Sequence, residues 1–473
     1  MPQAAHDRHL NAIGTRPVPR LLLGFSVPSI VSMTVESLYN VVDRVFIGQG
    51  AGWLGLAGVT LCFPIVLVVM ALSMMVGVGG NTLFAIRLGE RKYGQASIIL
   101  NNSFTLLLLI SGAVLLVGQL FMEPILRAVG ASEQTLPEAS AYLRILLWGA
   151  FFQVTTPGMN HFIRSMGHPK AAMARMLVGA GVNTFLDWLF IMKFGWGIRG
   201  AAWATVLAQA CSTAFVMAFF FGKDSPIRLS LRHMRLQAAY ARRIVAMGVS
   251  PSTMQVCNSL VNVILNRSLV KYGASSPYGG DLAVSAMGIV HSVFMMVAMP
   301  VMGVVQGAQP LIGYNYGAKL FPRVRETLKY AFGWGVAFMT VAWAGVQVFA
   351  PGIVSLFSDE PGLTDLSRSA LRVFAAAMPC VAVGMITGNF FQGIGRPWRA
   401  LFINLCRQVI VLIPLLLVVP RIFGLTGVFM AQPISDALSA ALALAMISVE
   451  LKRMSALERA SAAKTELPEE TSA

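Results

Sequence analysis

The chain is written twice. Residues 21 to 220 and 242 to 448 match in order: Phe162, Gly167 and Pro169 return 228 positions later as Phe390, Gly395 and Pro397, and Gly79 and Gly89 return at the same offset as Gly307 and Gly317. Gly197 and Gly200 return as Gly424 and Gly427, and Pro28-Ser29 as Pro251-Ser252. Each copy holds six apolar stretches, starting near residues 21, 54, 96, 138, 170 and 198 and then near 242, 283, 328, 366, 398 and 423. Residues 65–75 and 409–419 are almost continuously apolar, unlike the alternating strands of a membrane β-barrel. A bilayer crossing by a helix takes roughly 20 such residues. An even number of spans per copy brings both copies in from the same membrane face, so they are parallel repeats about an axis along the membrane normal. The expected fold is all-α: twelve transmembrane helices in two six-helix lobes. Duplicated bundles of this kind commonly form a transport site where they meet.

Composition agrees with a membrane solvent. Of 473 residues, 56% are hydrophobic and 12% charged, and the mean hydropathy is +0.69, outside the range of soluble domains. The net charge of +16 is distributed by loop. Arg87, Arg91 and Lys92, then Arg164, Lys170 and Arg175, then Lys319, Arg323 and Arg325 alternate with loops of low positive charge, and the loop at Asp359, Glu360 and Asp365 is acidic. The positive-inside rule puts both termini in the cytoplasm, with the protein a multi-pass component of a bacterial inner membrane. No stacking aromatics accompany the cations, so nucleic acid is not an expected partner. The expected segments are a cytoplasmic lead at 1–20, an N-lobe at 21–221, a basic linker at 222–241, a C-lobe at 242–450 and a disordered cytoplasmic tail at 451–473. Cys62, Cys211, Cys257, Cys380 and Cys406 all fall in predicted spans without CxxC spacing and read as small core residues, not a disulfide framework or metal centre.

Ionisable side chains inside spans are costly, roughly 2.5–3.5 kcal/mol for Asp at a helix centre on the lowest scale, so each is a functional candidate. The first span carries Ser29, Ser32, Glu36, Asn40 and Asp43 at spacings of three and four, a stripe on one helical face with Tyr39 beside it. The fifth carries Asn183 and Asp187 four apart, and the sixth Thr205. At 1.5 Å per residue, Asp43 and Asp187 reach a similar depth in the outer part of the membrane. Two nearby carboxylates in low dielectric cannot both ionise cheaply, which suits a proton-binding site. The second copy has lost these acids: Asn266 stands for Asp43 and Leu415 for Asp187. Its seventh span instead shows an amide stripe of Gln255, Asn258, Asn262 and Asn266, able to hydrogen-bond without titrating. Coupling chemistry is thus assigned to the first half, and Asp436 in the last span reads as structural. Met295 and Met299 belong to a flexible, polarizable surface suited to promiscuous recognition.

Over nearly its whole length the chain resembles the multidrug and toxic compound extrusion (MATE) family, closest to the MepA/DinF-like bacterial branch. The resemblance rests on SLYNVVDRVFIGQ at 37–49, NTFLDWLFI at 183–191, GIRGAAWAT at 197–205, and the paired RSMGHP and QGIGRP before the fifth and eleventh spans. It implies two six-helix lobes in a V around a central cleft, with efflux of amphipathic, often cationic drugs driven by proton or sodium influx. By position, Asp43, Asn183, Asp187 and Thr205 match the family's N-lobe cation site, and Pro28 the first-helix proline linked to bending. The second-half acids of another branch are absent from the seventh span, and Glu36 stands where relatives commonly have an amide. Glu36, Tyr39, Asn40, Gln255, Asn258, Asn262, Met295 and Met299 are the expected cleft residues. No organic cofactor is called for, the coupling ion being a proton or alternatively sodium, and no metal beyond that sodium. The expected protein is not an enzyme, since HExxH or a nucleophile with its base is missing from the spans, and it works as a monomer in the bilayer. The competing expectation is a flippase for a lipid-linked precursor; such relatives line the cleft with several basic residues, whereas embedded arginine looks sparse here.

Overall fold

The computed structural model describes residues 13–129, 131–222, 225–230, 234–357 and 360–466, without the side chains of 40, 41, 44, 52–54, 56, 57, 259 and 460–466. Helices account for nearly all of it. They are α1 (Val18–Gly89), α2 (Tyr93–Leu120), the short α3 (Met122–Ala128), α4 (Leu136–Trp148), α5 (Ala150–Ser165), α6 (Pro169–Asp187), α7 (Gly197–Phe221), α8 (Ala238–Ala274), α9 (Gly280–Gly317), α10 (Phe321–Ser355), α11 (Pro361–Ala375), α12 (Met378–Gly393), α13 (Pro397–Leu405) and α14 (Leu412–Glu466). Wider π turns at Trp188–Lys193 and Cys406–Val411 extend α6 and α13. Proline at the first or second position opens α1, α4, α6, α10, α11, α12 and α13, where its missing N–H costs no hydrogen bond.

Among the described residues, eight stretches are long and apolar enough to cross a membrane, nine with α11 and α12, bent by 48°, taken as one. The twelve spans follow from three further features. Pro397–Arg459 breaks at Gly424, whose φ of 57° and ψ of −139° are not helical. The fourth span is interrupted at Gly149, between α4 and α5. The seventh, α8, is diluted by its amides. Inside α1 the spans Val18–Tyr39 and Gly58–Gly89 are not collinear. A straight helix of its 72 residues would run roughly 108 Å. Yet Ile30 meets Gly303 and Ile86 meets Gly317, so points 56 residues apart on α1 touch points only 14 apart on α9. The chain therefore doubles back between the two spans.

The duplication is reproduced bond for bond. Gly167 and Gly395 take φ of 87° and 75°, and Arg91 and Lys319, 228 residues apart, both take 59°. His168 N donates to Ile163 O, and Arg396 N to Phe391 O; Lys92 N donates to Arg87 O, and Leu320 N to Asn315 O. The halves meet along glycines placed in the same symmetry. Gly79 abuts Ile244 and Gly248, while Gly307 abuts Phe25 and Ser26; Gly89 abuts Tyr314, and Gly317 abuts Ile86. Without side chains at these points the backbones come into direct contact, the small-residue packing typical of membrane helices. These contacts lie on the side of the chain ends: Arg323 donates to the carbonyls of Ile13 at 3.0 Å and Arg16 at 2.6 Å. In contrast, the stretch after Asp43 packs on its own half, Gly50 against Ile191 and Gly58 against Ala139 and Ile198.

Two segments are more tightly held than their composition suggests. The linker is strapped to α2, whose buried Asn101 and Asn102 accept from Ser230 N at 2.9 Å and Gln237 N at 2.7 Å. Where a disordered tail was expected from residue 451, α14 stays helical to Glu466, because Arg325 holds Ser455 and Glu458, each at 2.6 Å. Residues 467–473 lie outside the described residues.

Candidate cation-coupling site

The stripe on the first arm of α1 divides into two kinds of polar residue. Ser29 and Ser32 donate back to their own helix, to Phe25 O at 2.9 Å and Pro28 O at 2.8 Å. Those hydroxyls are therefore committed. Pro28, buried in the same turn, removes the N–H that would bond to the Gly24 carbonyl, a place where a helix can bend. Beyond them Glu36, Tyr39 and Asp43 point into the first half.

Asp43 meets Asp187 there. Asp187 is fully buried at 0% exposure, and Asp43 is within hydrogen-bond reach of it, although neither Asp187 oxygen has a partner of full geometry. One turn earlier on α6, Asn183 is buried and both atoms of its amide group are likewise without a hydrogen bond. Tyr39 and the buried Tyr142 of α4 lie in electrostatic range of both acids. Leaving a buried polar group unsatisfied costs about 1–3 kcal/mol, so this nest is suited to an occupant: a proton shared by the carboxyls, or a small hard cation held by oxygens. The π turn begins at the residue after Asp187, and such bulges recur at functional sites. Thr205 is half-buried on α7, and among the described residues no hydrogen bond joins it to the acids. The Asn40 side chain lies outside the described residues.

Glu36 has cationic neighbours. Two arginines, Arg175 of α6 and Arg164 of α5, lie in its electrostatic range, and His161 lies in range of both. Embedded arginine is thus present where the first half meets the second, which corrects the reading of it as sparse. The reason is geometric. Arg164 and Arg175 sit in sequence beside the loop at 166–168 and read as loop charges, but long side chains carry their guanidinium several ångströms from the backbone. Arg164 donates across the halves to Gln306 of α9, and Gln306 in turn contacts the Met33 sulfur at 3.4 Å.

The second half builds a neutral counterpart. Gln408 donates to Asn258 at 3.0 Å, and Asn262, exposed, donates to the Asn258 carbonyl at 2.9 Å, so part of the amide stripe knits α8 to the π turn at Cys406–Val411. Gln255 is half-buried. Met295 is 43% exposed and Met299 half-buried. Asp436 is 3% exposed, 3.6 Å from Arg407, and accepts from Gln432 at 3.2 Å.

With this geometry in place, comparison with known proteins is informative. The MatE family model matches residues 28–189 and 252–418, one block in each half. The multidrug export protein MepA of Staphylococcus aureus (strain NCTC 8325 / PS 47) is 24% identical over 442 residues, covering 93% of this chain and 96% of its own. That of Staphylococcus haemolyticus (strain JCSC1435) is 26% identical over 447 residues, covering 94% and 97%. The crystal structure of a MATE in the bent conformation superposes with a TM-score of 0.88 at 26% identity, covering 96% of this chain and 99% of that one. The chain belongs to the MatE family, the multidrug and toxic compound extrusion transporters.

Proposed function

We propose that this chain is a secondary multidrug antiporter of a bacterial inner membrane, exporting amphipathic compounds in exchange for protons. The observation that carries the reading is the pairing of half-buried Asp43 with fully buried Asp187, within hydrogen-bond reach of each other. Like charges at that distance in a low-dielectric pocket favour one shared proton over two full charges. Proton entry and release there can move the lobes only through a difference in affinity between two arrangements. With the basic loops in the cytoplasm, the glycine seam closes that side and leaves proton uptake and cargo release to the opposite one. The names of the staphylococcal relatives, multidrug export proteins, support the cargo class. The unpartnered oxygens of Asn183 and Asp187 favour sodium as the second reading.

Reconstitution in liposomes tests this. A lipophilic fluorescent cation is followed under an imposed proton or sodium gradient in wild type, Asp43→Asn and Asp187→Asn. A proton gradient driving transport that either substitution abolishes supports the proposal. Sodium alone as driver reassigns the ion, and normal transport by both variants removes the coupling role.

A further inference from the structure

The unusual group in the first half is Arg175. Its Nε is buried without a hydrogen bond, and one terminal nitrogen meets only the Met176 sulfur, at 3.3 Å, a weak acceptor. Glu36 is the acid in its electrostatic range; Arg164 adds a second positive charge to the same centre. Among the described residues, two guanidiniums thus face one carboxylate. Asp187 does not offset them, the charge in its range being that of Asp43 and not of either arginine. A half-buried cation whose Nε is shut off from water without a hydrogen bond is costly, and a guanidinium fork matches a carboxylate or similar oxyanion in two parallel hydrogen bonds. The position suits a ligand as well. Arg164 reaches Gln306 of the other half, so this centre lies at the junction of the halves, where cargo must pass.

We propose that Arg175, with Arg164 beside it, forms an oxyanion-binding subsite at the junction of the two halves, and that the preferred cargo carries a carboxylate or like group on its apolar body. Resting on the efflux reading, this narrows the cargo from simple lipophilic cations to zwitterionic or acidic amphiphiles. Glu36 balances one of the two arginines and leaves the other for the ligand.

A matched pair of dyes tests it. Rhodamine 110 has a free carboxylate, and rhodamine 123 is its methyl ester on the same ring system. Binding to the purified full-length protein is followed by fluorescence anisotropy, and uptake into proteoliposomes in parallel. Wild type is expected to bind the acid at least tenfold more tightly than the ester. Arg175→Gln is expected to erase that preference by weakening the acid alone, and Arg175→Lys to restore part of it. Equal affinity for the two dyes in wild type, or an equal loss of both in Arg175→Gln, overturns the subsite. Binding and transport of the ester alone overturns the subsite but leaves the efflux reading standing; failure of both dyes to bind or move counts against both. The wild-type comparison requires no variant to fold.

Discussion

Alanine at Gly79 probes the seam between the halves directly. Its Cβ would stand 2.6 Å from Gly248 N and 3.0 Å from Gly248 Cα, and would also collide with the Ile244 carbonyl, where ordinary contact begins at 3.4 Å. The obstacles are backbone atoms, which cannot rotate away. The seam must therefore open locally by about 0.8 Å, a conservative figure taken from the nitrogen alone. Overpacking of this kind costs about 1–3 kcal/mol. The cost falls only on the arrangement in which the seam is closed, so the ratio of closed to open should fall by roughly 5- to 150-fold. Helix propensity works in the other direction within α1, alanine being better than glycine by about 1 kcal/mol, but equally in both arrangements. The readout is a cysteine at Ser26, a residue 2% exposed on the same seam, in a background with the five native cysteines replaced by serine. Its labelling by a membrane-impermeant maleimide applied from the side of the chain termini should accelerate in Gly79→Ala. Unchanged labelling, with the protein folded and membrane-inserted, would refute the argument that backbone contact at these glycines holds the closed arrangement.

Two further outcomes concern the loops that anchor the helices. Glu450 is 1% exposed and holds Arg396 and Arg399, each at 2.5 Å; Glu450→Gln leaves two partly solvated guanidiniums beside an uncharged group, and should cost about 2–3 kcal/mol, below the full penalty for a wholly buried pair, read as a lower thermal unfolding temperature in detergent. At Glu90, in the loop before α2, burial by itself would raise the carboxyl pKa, but hydrogen bonds from Lys92 and Arg87 and their charges prevail and hold it below its ordinary 4.5. A carboxyl lowered in the folded state stabilises above its unfolded pKa and loses that contribution as pH falls through the folded value. The unfolding-temperature difference between wild type and Glu90→Gln should thus be constant near neutrality and shrink below about pH 4.5; a difference that persists in strong acid would contradict it.

The duplication, the all-helical membrane class and the acids of the first half are legible along the chain, because each depends on local pattern. Apolar runs with no period of two can satisfy their backbone in hydrocarbon only as helices. Asp43 and Asp187 stand out in them because charges are rare there. Two residues of one stripe, Ser29 and Ser32, look identical to the site residues in sequence, yet their hydroxyls are spent on their own helix. Where α1 turns back is set by its packing on α9, since the hydrogen-bond pattern of a helix continues through the reversal. Only tertiary structure revealed that Asn101 and Asn102, ordinary polar residues of a span, strap the linker, and that Arg164 and Arg175 join Glu36. A side chain of arginine length can serve a site well away from its own Cα, and its direction is set by the neighbours it packs against. Sequence position therefore marked these two as loop charges, while the fold turned them inward to the junction of the halves.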